Sequence, residues 1–242
     1  MAIIAHYKLN DNAATTTVLD ETGNHNGTIK DAGGTATTAA HTAANSRGVG
    51  TCLDFDGTDD YIEVADHADF TPALTPFSIS AWVYMHDATR FKIASKGSWT
   101  VDGEWGFETD GSDKLEFICY DETAVAQITR STSGALTSYE NQWIHLVATY
   151  DGGILPASIK IYLNATRIDD TDGTLGTFVS IRNAAADVYI GRYSVTYADG
   201  LIDNVIIFNT ELNIDQVKAL YNGGHGTEIV ADIDIDRRIR RR

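Results

Sequence analysis

The sequence predicts an all-β fold: two packed antiparallel sheets with one short helix near the C-terminus. Three observations carry that prediction. Glycine occurs 21 times and proline only 3 times in 242 residues, short runs rich in Val, Ile, Thr, Tyr and Phe alternate with turn residues, and only one stretch has helical spacing. A chain of this length fits a single large all-β domain.

The expected strands, in order, are "CLDFDG" (52–57), "DYIEVA" (60–65), "FSISAWVYM" (77–85), "FKIASKG" (91–97) and "WGFETD" (105–110). They continue with "KLEFICYD" (114–121), "WIHLVATYD" (143–151), "SIKIYLNA" (158–165), "DVYIGRY" (187–193) and "IDNVIIFN" (202–209). So many strands close into a two-sheet jelly roll more naturally than into one open sheet. In "FSISAWVYM" the two-residue period sends Phe77, Ile79, Ala81, Val83 and Met85 to one face, the core. Ser78, Ser80, Trp82 and Tyr84 go to the other, a polar and aromatic surface. In "LIDNVIIFN" the same period puts the carboxylate of Asp203 beside Val205 and Ile207, an expensive place for an ionised acid without a partner. Trp82 and Trp143 read as packing residues.

The helix is "NIDQVKALYNGG" (213–224). Asn213 is the N-cap, Gln216 completes a capping box, Gly223 or Gly224 supplies the left-handed stop, and Ile214, Val217 and Leu220 or Tyr221 form the apolar stripe. Residues 31–50, rich in small side chains without a period, read as a long surface loop. The domain is placed at 1–227, with a C-terminal tail at 228–242.

Composition narrows the function. Net charge is −16, and "RRIRRR" at the end supplies five positive charges, so residues 1–236 carry −21. A body this acidic disfavours nucleic acid, and no apolar run reaches the ~20 residues of a membrane span. The start, "MAIIAHYKLNDN", lacks the basic end and apolar stretch of a secretory signal. Either the mature chain begins here or it leaves the cell by another route, with an extracellular or virion-associated location favoured. Cys52 and Cys119 form either one bridge or two small packing residues. The seven histidines show no paired-ligand spacing, so no zinc site is expected.

The ordered phrases "AHYKLND", "VLDETGNHNGT", "LDFDGTDDYIEV", "FSISAWVY", "WIHLVATYDG" with "IKIYLNATRI", "VYIGRY", "GLIDNVIIFNTEL" and "VKALYNGG" resemble the laminin-G-like jelly-roll domains of the concanavalin A-like lectin and glucanase superfamily. The likeness covers most of the chain. It departs where the family's Asn-Gly turn is Asn164-Ala165 here. The resemblance implies a structural calcium held by an aspartate matching Asp203 and by the N-terminal segment. In "DETGNHNGT" that points to Asp20, Asn24 and a carbonyl near Gly27, a segment rich in the oxygens calcium needs. The alternative is that Asp203 accepts backbone N–H bonds or pairs with an arginine.

Three function classes follow. A non-catalytic glycan-binding module is favoured, because sugars stack on aromatic rings while polar groups take their hydroxyls. Its candidate contacts are Trp99, Asp102, Glu104 and Trp105 in one loop-rich stretch, and Arg192, Tyr193, Tyr197 and Asp199 in another. The second class is a structural or attachment protein of a virus or phage particle or other assembly. Its oligomer would form through the tail, where Ile233, Ile235, Arg237 and Ile239 share one face of a strand. The third is a glycoside hydrolase or polysaccharide lyase. It ranks last, because the Glu-x-Asp-x-x-Glu cluster of related glycosidases is absent. Glu104 and Glu108 on one strand would stand ~13 Å apart, too far for a carboxylate pair.

Overall fold

The computed structural model describes residues 2–11, 14–38, 43–44, 50–98 and 101–228. Trp99 and all of the tail beyond Glu228 lie outside the described residues. All ten expected strands form and pair antiparallel into two large sheets, except that the end of the 187–193 strand, Arg192–Tyr193, pairs with Thr196–Tyr197 in a separate two-stranded hairpin.

The first sheet has eight strands in the order Thr166–Arg167, Ile159–Leu163, Trp143–Tyr150, Phe77–Met85, Asp199–Phe208, Thr51–Asp56 and Ala43–Ala44, with Ile3–Tyr7 also paired to Asp199–Phe208. The second has nine, in the order Thr171–Leu175, Ala126–Ser131, Leu115–Asp121, Trp105–Thr109, Lys92–Lys96, Val188–Ile190, Tyr61–Val64, Gly27–Lys30 and Thr17–Val18. Their inner faces share one core. Phe55, Ile79, Val83, Leu146, Ile161 and Ile202 from the first sheet meet Ile62, Ile93, Phe107, Phe117 and Val188 from the second. Both cysteines are buried and unbridged. The expected loop at 31–50 contains a short strand, Ala43–Ala44, paired to Thr51 and Cys52.

The outer face of the eight-stranded sheet differs from expectation. Ser78, Ser80 and Trp82 are buried there, although Tyr84 keeps partial exposure. The covering element is the helix, Ile214–Tyr221. Its Val217 and Leu220 pack with Val147, Tyr162, Ile206, Phe208 and Leu212 in a second apolar cluster, and Tyr221 stacks on Trp82. The capping box forms as expected. Asn213 accepts from the N–H groups of Asp215 and Gln216, and the Gln216 side chain accepts from the Asn213 N–H. The left-handed stop falls on Asn222, at φ 48°, one residue earlier than the glycines expected to supply it.

Asp203 does not share a face with Val205 and Ile207. Opposite Phe77–Met85, Asp203 pairs with Trp82 but Ile206 pairs with Ser80, so three steps on one strand match two on the other. The extra residue is a β-bulge at Asn204, which takes φ 50°. A bulge inverts the alternation beyond it. Ile202, Val205 and Ile207 therefore face the main core, while Ile206 and Phe208 face the helix on the same side as Asp203.

Candidate functional site

On the nine-stranded sheet, Leu115, Phe117 and Cys119 point inward, and the intervening positions point out. Register then lines up side chains that are far apart in sequence. Lys92 pairs with Glu108, and Glu108 with Glu116, making a row of three charged residues across adjacent strands. Lys92 Nζ donates to Glu108 Oε2 at 2.7 Å, and both residues are buried. Burial pushes the Glu108 carboxyl up, against the pull of Lys92. At Glu116 the pull of Lys92 is weaker than the influences that oppose it. Burial first, then the charges of Glu108 and Asp110, raise its carboxyl to about 7.

A hairpin leans over this row. Arg192–Tyr193 pairs with Thr196–Tyr197, Ser194 takes φ 57°, and Val195 at the tip is 82% exposed. Its entry is fixed by Gly191, at φ 81°, where a Cβ would stand 2.6 Å from the Phe55 ring. Ser95 Oγ donates to the Arg192 carbonyl at 2.8 Å and ties the hairpin to the sheet. Between hairpin and sheet lies an open depression of about 290 Å³, lined by Arg90, Lys92, Glu108, Asp110, Glu116 and Tyr193 among others. The Tyr193 hydroxyl donates to that of Tyr120 at 3.1 Å, and Lys92 Nζ sits 5.7 Å from the Tyr193 ring centre. A larger hollow, of about 530 Å³ near Leu9 and Leu19, has no aromatic ring among its lining residues.

Of the described residues expected to contact a ligand, only Tyr193 lines this depression. Arg192 turns instead into a tyrosine cage, 4.4 Å from the Tyr61 ring centre, 5.0 Å from Tyr189 and 5.8 Å from Tyr197. Trp105 is core. It is fully buried against Phe77 and donates its Nε1–H to the Phe70 carbonyl at 2.8 Å, so no face is left for a sugar. Glu104 is also fully buried, with Oε1 2.5 Å from Lys96 Nζ and Oε2 accepting from Thr71. Asp102 holds a turn by accepting the Ser98 N–H at 2.7 Å. Asp199 lies on the other sheet, where its Oδ1 is 3.0 Å from His86 Nδ1. Arg90, Lys92, Asp110 and Glu116 line the depression without having been singled out in the sequence, and Glu108 was considered there only as half of a carboxylate pair with Glu104. The outward phase of Glu108 and Glu116 is readable in "WGFETD" and "KLEFICYD", but their juxtaposition depends on register.

The implied calcium does not fit its expected site. Asp20 Oδ1 accepts the N–H groups of His6 at 2.8 Å and Thr22 at 3.0 Å. Its Oδ2 accepts the Thr22 hydroxyl and the N–H groups of Asn24 and His25. Donor hydrogens thus occupy the lone pairs that a cation would need. Burial would raise this carboxyl, but the bonds from Thr22, His6 and His25 outweigh it and hold it below the ordinary range. Asn24 turns its side-chain amide to the Thr22 hydroxyl. Gly27 is a packing position, since a Cβ there would meet Ile62 at 2.6 Å. Asp203 lies buried beside Trp82 under the helix region. Among the described residues, the groups of three ligating side chains with donor atoms within 4.8 Å are His25–His67–Asp69 and Asp56–Asp59–Asp60, and neither includes Asp20 or Asp203.

This two-sheet architecture agrees with comparison to known proteins. Residues 56–218 match the laminin G family described as the concanavalin A-like lectin/glucanases superfamily, and the chain belongs to that family. Among solved structures it is similar to domain 4 of AbnA, a GH43 extracellular arabinanase from Geobacillus stearothermophilus, determined in complex with arabinotriose. Identity is 20%, covering 89% of this chain and 96% of that one, with TM-score 0.61. It is also similar to the binding domain of botulinum neurotoxin DC in complex with rat synaptotagmin II, at 14% identity over 91% of this chain and 51% of that one, TM-score 0.61. The binding domain of Paraclostridial Mosquitocidal Protein 1 matches at 16% identity, 89% and 53% coverage, TM-score 0.60. The chain spans about half the length of both toxin domains. No curated protein matches it in sequence.

Proposed function

We propose that the protein is a non-catalytic glycan-binding module whose ligand seats in the depression between the 192–197 hairpin and the nine-stranded sheet. The observation that carries this reading is the convergence of one tyrosine ring with hydrogen-bonding side chains of both signs around a hollow the size of one or two sugar rings. Sugars need that combination of an apolar platform and directional polar contacts. The solved complex of a similar domain with arabinotriose supports it.

The charges favour a neutral sugar. Arg90 and Lys92 are balanced by Glu108, Asp110 and Glu116 around the hollow, so an anionic ligand finds no net attraction. Glu108 is committed to Lys92, which leaves it poorly placed as a nucleophile. A glycan array on the full chain tests the reading. Neutral oligosaccharides should be retained at both low and high salt, with no release of new reducing ends on prolonged incubation. Retention of anionic glycans alone would reverse the assignment, and released sugar would make the protein an enzyme.

A further inference from the structure

We infer that His25, His67 and Asp69 form a site for a transition-metal ion, with zinc the best-matched metal. The three residues come from two separate segments. His25 belongs to the 20–26 loop, and His67 and Asp69 to the 3-10 turn around Ala68–Phe70. Asp69 Oδ2 lies 3.2 Å from His25 Nε2 and 3.2 Å from His67 Nδ1, and all three donor atoms lie within 4.8 Å of one another.

Those two distances match what the metal requires. With zinc bonds of about 2.0–2.2 Å to imidazole nitrogen and carboxylate oxygen, a tetrahedral site separates neighbouring donors by about 3.3 Å. Two imidazoles and one carboxylate suit zinc rather than calcium or magnesium, which prefer all-oxygen shells. The fourth position would face solvent, since the side chains of His67 and Asp69 are each 54% exposed.

The donors are held in place before any ion arrives. The backbone of His25 is fixed at both polar ends, its N–H donating to Asp20 Oδ2 and its carbonyl accepting from Tyr7. Its ring packs 4.7 Å from Phe70, which is buried and carries the carbonyl bonded by Trp105. The two imidazole rings lie 4.8 Å apart. His67 Nδ1 accepts the Asp69 N–H in one long bond of 3.2 Å, which a metal ion must displace, and the same nitrogen lies 3.2 Å from Asp69 Oδ2. An ion between them would replace that long bond and the acceptor–acceptor contact with two metal bonds. Asp20, which the calcium expectation made a ligand, becomes the anchor that positions His25.

Titration of the metal-stripped full chain with zinc chloride, read by calorimetry, should show one ion per chain and a rise in melting temperature that calcium chloride does not produce. Cobalt(II) should give the strong visible absorption of a tetrahedral site. Asp69→Asn and His67→Ala change exposed side chains and should keep the fold by circular dichroism. Each should weaken zinc binding about tenfold or more, since even outer-shell partners of a metal are worth 10–100-fold. His25→Ala should do the same. Absence of binding at micromolar zinc, or affinity unchanged in folded Asp69→Asn and His67→Ala, would overturn the site.

Discussion

Glu116 has been carried by the fold into a place that favours its proton. Its carboxyl titrates at about 7 against an ordinary value of 4.5, because burial and the neighbouring Glu108 and Asp110 disfavour the charge. A carboxyl whose folded pKa is raised favours the folded state most when protonated, so this contribution is complete below about 4.5 and is lost as pH rises to about 7. Glu116→Gln should therefore be more stable than the parent at pH 8, by about 1–2 kcal/mol after allowance for partial exposure. The difference should vanish near pH 4, as urea unfolding at the two pH values would show. Glu104 behaves differently, because its charge is matched by Lys96 in a fully buried pair. Glu104→Gln leaves that ammonium with Asp66, whose Oδ1 is 2.7 Å away, as its remaining counter-charge, and the loss of one of its two anionic partners should cost about 1–3 kcal/mol. Sugar affinity should not change, measured at a temperature where the variant is still folded.

At the scale of elements, turn chemistry and register decided more than propensity. The 159–163 and 166–167 strands are joined by Asn164 and Ala165 at φ 48° and 62°, the turn that Asn-Gly fills with less strain. Ala165→Gly should relieve the left-handed alanine and stabilise the protein by up to about 1 kcal/mol, less the entropy that glycine adds to the unfolded chain. Thermal unfolding reads the shift directly. Alternation in "FSISAWVYM" and "KLEFICYD" made the core-facing side chains legible, because a strand's period is fixed by its backbone. The bulge at Asn204 was not legible. It inserts one residue into a continuous apolar run, where nothing in the composition marks the inversion that moves Asp203 to the other face. Strands such as Ala126–Ser131 and Thr171–Leu175, with Thr, Gly and polar residues, gave little signal because one lies at the sheet's edge and the other next to it. The capping box was legible as a local pattern. That the helix would bury Trp82 was not.

Across the whole molecule, the family and the two-sheet architecture could be read from the order of strand phrases, while the candidate site could not. Its residues come from four places: Arg90 and Lys92, Glu108 and Asp110, Glu116, and the hairpin at 192–197. Only antiparallel pairing brings them together. Trp99 and Trp105 in "KGSWTVDGEWGFETDG" pointed to a sugar platform, yet Trp105 is claimed by the core, Trp99 lies outside the described residues, and among the described lining residues Tyr193 is the aromatic one. The most direct measurement of the proposed function is therefore calorimetric titration of an array-selected neutral oligosaccharide into the parent chain and into Tyr193→Ala. Removal of the ring should weaken binding about 2- to 12-fold, as expected for a contribution of about 0.5–1.5 kcal/mol from an aromatic contact, with the melting temperature little changed. Equal affinity in the two proteins would contradict the account and remove the ligand from this depression.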